Sequence, residues 1–333
     1  MILTEIEFNN VVVYCQSCIH QNKFPDVSHS DLPQVKFDTL QSIFSQIYVR
    51  HTKKVSPEIE RDIHAIAKKF DDGCSLIDVA RSYCFSPFKL AKLYAKHILK
   101  SKDTFNLTKL LNDDIKEICT LPPSPPASQL NSTVSNTADI AETSDLVTVF
   151  PTSRPLSDRV KADLIRCCLE DVMSSQTTEC IKNCVGREYE ELLYDLMRQK
   201  NMCFETESEL RLQGKPKTPD VLLMVPLAVR LPRVSVGGAA VGSDDGREGT
   251  ADLSTGPSSL TSDNISVVHW IDSKAMFGDH ATCQEQMEQL QGYVNRYGRG
   301  LVIYWQGFVE TLPSVSEDIV FADRFPDDWI FPT

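Results

Sequence analysis

No run of eighteen apolar residues occurs anywhere in the 333-residue chain, so no helix of it is expected to span a bilayer. A positive net charge is missing as well: 34 Lys and Arg stand against 46 Asp and Glu, giving −12. That excludes a uniformly basic nucleic-acid coat and leaves room only for a local basic patch. The start, Met1 to Glu7, has no basic segment and carries two acids, so it does not read as a secretory peptide. The phosphate loop GxxxxGK(S/T), the nucleophile elbow GxSxG and the zinc-protease motif HExxH are all absent. ATP hydrolysis, α/β-hydrolase chemistry and zincin chemistry therefore lack support, and no nucleotide cofactor is expected. The 11 cysteines are odd in number and irregular in spacing, unlike a secreted disulfide framework. Reduced thiols of the cytosol or nucleus fit better. Cys15-x-x-Cys18 has no second such pair to complete a zinc site, and buried free thiols are the expected state.

What is present is ordinary globular material, 41% hydrophobic and 24% charged, enough for two domains. The charge is unevenly spread. From Arg50 to Lys102 there are 12 Lys/Arg against 6 Asp/Glu, while the rest of the chain is acidic. Two low-complexity stretches interrupt it. One, from about Leu121 to Pro155, is rich in Ser, Thr, Asn and Pro and reads as a linker. The other, from about Pro232 to Asp263, is rich in Gly, Ser and Ala and reads as a long loop inside a domain. The expected division is a helical domain over 1–118, a linker over 119–155, and an α/β domain over 156–333 with an insertion at 232–263.

Asp38 to Tyr48 spaces its apolar residues at helical intervals. Leu76 to Leu99 predicts a short helix with Ala80 on its packed face, a tight turn, and a second helix with Ser86 as N-cap and Pro87 at its first position. Lys89, Lys92 and Lys96 then form one basic face. The pattern resembles a helix-turn-helix, with these lysines as nucleic-acid contacts. The plain alternative is a helical hairpin that only packs.

The C-terminal part reads as helix, strand, strand, helix, strand. Asp220 to Val229 and Ser266 to Asp272 are strands, and Gly300 to Trp305, nearly all apolar, is expected to be central. Asp220 opens the first strand; Asp272-Ser273-Lys274 closes the second. A hairpin across the Gly/Ser-rich stretch brings both aspartates toward one point. Two adjacent carboxylates repel unless a cation lies between them. Mg²⁺ (or Mn²⁺), a hard ion that takes oxygen ligands, is the natural candidate. Lys274 lies two positions after Asp272 and so shares its face, where its ammonium can orient a water and offset charge on a phosphorane. Glu190 is preferred as a further acid because it lies one turn from Leu193; Glu188 and Glu191 are its rivals. Gln289, Tyr293 and Arg296 share a helical face, where Gln289 joins the catalytic set and Arg296 the phosphate contacts.

Together these residues resemble the PD-(D/E)xK nuclease superfamily, and more closely its codanin-interacting branch with the Thr-Pro-Asp signature. The likeness rests on Lys217-Thr218-Pro219-Asp220, on His269-Trp270-Ile271-Asp272-Ser273-Lys274-Ala275, on Met1 to Thr4, Ser42 to Gln46, Gly186 to Leu193 and Gly300 to Trp305. It covers nearly the whole chain outside the two low-complexity stretches. The resemblance implies an α + α/β architecture: an N-terminal helix-turn-helix module followed by a restriction-endonuclease-like mixed-sheet domain. It implies Mg²⁺-dependent phosphodiester hydrolysis, with Asp220 and Asp272 as metal ligands, Lys274 as the catalytic lysine and Glu190 as the helix-borne acid. It further implies codanin and nucleic acid, most simply DNA, as partners, and a nuclear location with a cytoplasmic pool. Two departures stand out. Asp272 is one methylene shorter than the usual Glu, so a metal would sit closer to the strand, and the Pro232–Asp263 stretch lengthens the gap between the two aspartates. Two alternatives stay open: a catalytically silent scaffold for codanin, or a helix-turn-helix DNA binder.

Overall fold

A computed structural model describes residues 1–29, 32, 34–99, 157–231 and 264–332. The expected linker and the 232–263 insertion lie outside them. The architecture is mixed helix and sheet, as expected at that level. It separates into two compact units, one of Met1–Tyr48 with Cys180–Thr333, the other of Val49–Glu179.

This division does not follow chain order, and particular bonds explain why. In the first unit, β1 (Ile2–Leu3) pairs in parallel with β6 (Phe308–Val309). Helix α1 (Glu5–His20) starts with a capping box in which Thr4 and Glu7 satisfy each other's backbone N–H groups. The first turns of α2 (Phe37–Asp71) are tied to the C-terminal part. Thr39 Oγ1 donates to Gln306 O, Gln46 Nε2 to Phe277 O, and Phe277 N to Ser42 Oγ, each at 2.8 Å.

The main sheet of this unit runs β2 (Phe204–Thr206), β3 (Val221–Leu231), β4 (Asn264–Lys274), β5 (Gly300–Tyr304), β7 (Ile319–Ala322), with β8 (Trp329–Ile330) beside β3. β2, β4 and β8 lie antiparallel to β3, while β4, β5 and β7 are mutually parallel. All five residues of β5 are buried, which its apolar run predicts for a strand covered on both faces. On one face Leu193, Tyr194 and Met197 of α6 (Gln176–Gln199) pack with Ile271, Leu301 and Ile303. On the other, Cys283, Leu290 and Tyr293 of α8 (His280–Tyr297) pack with Trp270, Val302 and Tyr304. Burying each such large side chain contributes roughly 1.5–3 kcal/mol. Gly300 is required for this packing, since a Cβ there would stand 2.0 Å from Trp270 Cε2. The β3–β4 register slips between Leu222 and Leu227, where Met224, Val225 and Pro226 are exposed. Pro226 has no N–H for a ladder, and a bulge removes the need for one.

The second unit is helical among its described residues. The helix predicted over 38–48 continues to Asp71, through Pro57. Its later part carries Ile59, Ile66 and Phe70 into a core with α3 (Leu76–Ser82), α4 (Pro87–Leu99) and α5 (Asp158–Glu170). That burial outweighs the hydrogen bond Pro57 removes. Ala80 is fully buried and Ser86 Oγ accepts from Lys89 N at 3.1 Å, as the α3–α4 reading requires. The turn has no glycine; Cys84 takes the left-handed conformation at φ +49°. Asp171 anchors the start of α4, accepting from Phe88 N at 3.1 Å and from the Ser86 hydroxyl. The three lysines of α4 do not share one solvent face. Lys96 is exposed, Lys89 is half-buried, and Lys92 lies with its ammonium 4.4 Å from the Phe88 ring centre. Burial lowers the Lys92 pKa.

Candidate active site

The antiparallel register that pairs Val221 with Ile271, extended by one residue, sets Asp220 opposite Asp272. Alternation then turns both toward the sheet face that carries Tyr293, because Ile271 and Val221 fill the opposite core. Asp220 Oδ2 accepts the Ser273 N–H at 2.7 Å. Asp272 is 1% exposed, and Lys274 Nζ stands 2.5 Å from its Oδ2. Among the described residues, neither Asp272 oxygen accepts a hydrogen bond of ordinary geometry, and Oδ1 has no ion-pair partner either. Glu190, half-buried on α6, faces the same group, whereas Glu188 and Glu191 are exposed.

Lys274 pairs with Asp272, and Asp220 and Glu190 feel both charges. Burial, and then the charge of Asp272, raises the Asp220 pKa well above the carboxylate range. Burial and then Glu207 raise that of Glu190. Burial alone would lower the Lys274 pKa, but Asp272 and Asp220 together outweigh it and hold the ammonium charged. A buried carboxylate oxygen without a donor is costly, and the donor set, carboxylate oxygens with excess negative charge, is that of a hard divalent cation. The residues thus fit such an ion at Asp220 and Asp272. No three Asp, Glu, His or Cys side chains close on one point among the described residues.

Supporting side chains surround this group. Tyr194 Oη donates to Asp220 O at 3.4 Å. Trp305 Nε1 donates to Ser273 Oγ at 2.8 Å, and Tyr189 stacks on Trp305 with ring centres 5.2 Å apart. Gln289 is exposed, and its amide donates to Tyr293 Oη at 2.5 Å. Arg296 is not gathered with them. Its guanidinium donates to Pro216 O and fastens the loop that precedes Asp220. Lys89, Lys92 and Lys96 belong to the other unit. His269 is a packed histidine, with Nδ1 3.3 Å from Arg299 O. All ten described cysteines are free thiols.

Glu207 escapes sequence reasoning. It is the first residue of α7 (Glu207–Leu212); its N–H donates to Asp220 O at 3.0 Å, and its carboxylate pairs with Arg211 at 2.6 Å. Thr206 and Glu209 spell a capping box, so the helix start is legible. Nothing in that motif says which residue borders the aspartates.

Comparisons with known proteins converge. The family profile described as "Protein of unknown function TPD sequence-motif" matches residues 156–235 and 247–325. CDAN1-interacting nuclease 1 of Danio rerio is 30% identical over 305 residues, covering 87% of this chain and 78% of the relative. The protein of that name from Homo sapiens is 27% identical over 341 residues, covering 98% and 96%. The one from Xenopus laevis is 29% identical over 303 residues, covering 87% and 77%. No solved structure matches the chain.

Proposed function

The chain belongs to the family of the CDAN1-interacting nucleases, and from that premise we propose that it hydrolyses phosphodiester bonds of nucleic acid in a metal-dependent reaction and acts with codanin. One observation carries the catalytic part: Asp272, buried with an unmatched oxygen, stands opposite the half-buried Asp220 carboxylate and beside a charged lysine. Asp220 and Asp272 would hold Mg²⁺ or Mn²⁺, with Glu190 as the further acid. When bound, the ion supplies Lewis-acid polarisation of a phosphoryl oxygen and acidifies a water. The remaining roles fall to the chain itself. Lys274, held in its charged form, donates hydrogen bonds that orient the attacking water and offset charge on the phosphorane. Glu190, whose carboxylate burial and Glu207 make more basic than an ordinary glutamate, is suited to taking up a proton. Ser273 fixes the Asp220 carboxylate through its N–H. A sheet flanked by α6 and α8 supports a restriction-endonuclease-like core, and the α3–α4 pair supports a helix-turn-helix module that contacts DNA. Nuclear action on chromatin remains part of the same proposal through codanin.

Cleavage of single-stranded, duplex and branched substrates with Mg²⁺ or Mn²⁺ tests this. Asp220→Asn and Lys274→Met are each expected to lower kcat by at least about 100-fold. Variants that cleave as fast as the parent would sink the assignment. A second reading, a nuclease-like scaffold that binds codanin without catalysis, is favoured by the lack of a three-ligand cluster among the described residues. Unchanged codanin capture by Asp220→Asn, beside a parent that cleaves nothing, would select it.

A further inference from the structure

A cavity of about 600 Å³ opens beside the acidic group, between α7, the 213–218 loop and α8. Tyr293 and Thr218 line it on the side of the aspartates. That volume suits a nucleotide-sized piece of a strand. Three basic residues border it, and they are not equally available. Arg211 is engaged with Glu207 at 2.6 Å and Lys215 with Glu205 at 3.2 Å. Lys217 has only Glu288, at 3.8 Å, among the ion pairs of the described residues, and the two side chains are 57% and 95% exposed. Such a pair is worth little, so the Lys217 ammonium can exchange its partner at small cost.

The stem of Lys217 is nevertheless seated. It crosses α8 at Gly292, where a Cβ would stand 3.3 Å from Lys217 Cδ. Its backbone is held at φ +53°, a conformation that a non-glycine residue adopts at a cost. The carbonyl just before it is held by Arg296. A positioned stem with a loosely paired head, three residues before Asp220, is the arrangement expected of a substrate grip.

Resting on the nuclease reading above, we propose that Lys217 binds a backbone phosphate of the strand flanking the scissile bond and seats that strand in this cavity. It is a substrate-contacting residue that sets affinity, distinct from the group that performs the hydrolysis.

The test compares the full chain with Lys217→Met, which keeps the stem and the backbone strain, and with Lys217→Arg. Binding of a fluorescent single-stranded DNA oligonucleotide is followed by anisotropy across a salt series without divalent ions, and cleavage is followed separately. Lys217→Met should weaken binding about fivefold and reduce the slope of log affinity against log salt by about 0.7, the loss of one phosphate contact on a single strand. Lys217→Arg should restore both, and thermal midpoints should not move. In the cleavage assay, KM should rise by the same factor. Unchanged affinity and salt slope in Lys217→Met, or a fall in kcat without a change in KM, would overturn the proposal. A parent that binds with this Lys217 dependence yet never cleaves would refute the nuclease reading and leave the strand grip standing.

Discussion

Asp272 and Lys274 set the local energetics. The pair is enclosed, and the Lys274 ammonium stands among the charges of Asp272, Asp220 and Glu190. Lys274→Met should therefore destabilise the protein by about 3–5 kcal/mol at pH 7, read from urea unfolding, because it leaves the buried Asp272 carboxylate unpaired. The sign with pH follows from the raised pKa. The folded ammonium binds its proton more tightly than the unfolded one. Its contribution is whole below the ordinary value of 10.5 and is lost as pH climbs through the higher folded value. The difference between parent and variant should thus persist from neutrality to pH 9. Cysteines offer a second check. Burial pushes Cys15 and Cys168 up to about 12, so both stay neutral thiols at pH 8. Iodoacetamide at that pH should label exposed Cys74, Cys180, Cys184 and Cys203 and spare these two, as read by mass spectrometry. At this scale, the opposition of Asp220 and Asp272 and the place of Lys274 beside Asp272 could be read from the sequence because strand alternation fixes where neighbours point. Glu207 and the true partner of Arg296 could not, since both depend on the path of the 213–218 loop, which no periodic pattern records.

Among elements, the three strands and the helix of the C-terminal part were legible from apolar runs bounded by turn residues. β1, β6 and β8 were not, because two-residue strands carry no period. α2 was read too short: the apolar stripe at Ile59, Ile66 and Phe70 outweighs a proline that normally ends a helix. The α3–α4 pair depends on a side chain from outside it. Asp171 is buried and accepts from Phe88 N, Met173 N, Ser174 N and the Ser86 hydroxyl. Asp171→Ala should cost about 2–3 kcal/mol, as buried donors lose their acceptor. Hydrogen exchange should show the first turn of α4 losing protection first. A variant with full protection there would contradict this account. On the same helix, Lys96→Ala should lower the salt slope of duplex binding by about 0.9 if α4 meets phosphate, and Lys96 is the lysine of the three exposed enough to do so.

For the whole molecule, the decisive fact is that Met1–Tyr48 belongs with Cys180–Thr333. A cut into 1–118 and 156–333, which composition suggests, would divide that unit. The fragment 156–333 should therefore unfold without a sharp transition and bind a hydrophobic dye, while the full chain should not. A fragment with a cooperative melt matching the full chain would argue against this. Order of synthesis is where this interleaving has its largest effect. Leu40, Ile43, Phe44 and Ile47, all buried in the finished protein, leave the ribosome long before Gly300–Tyr304 is made. At about 5–20 residues per second, that greasy segment waits on the order of tens of seconds for its other half, a window in which a chaperone is its natural companion.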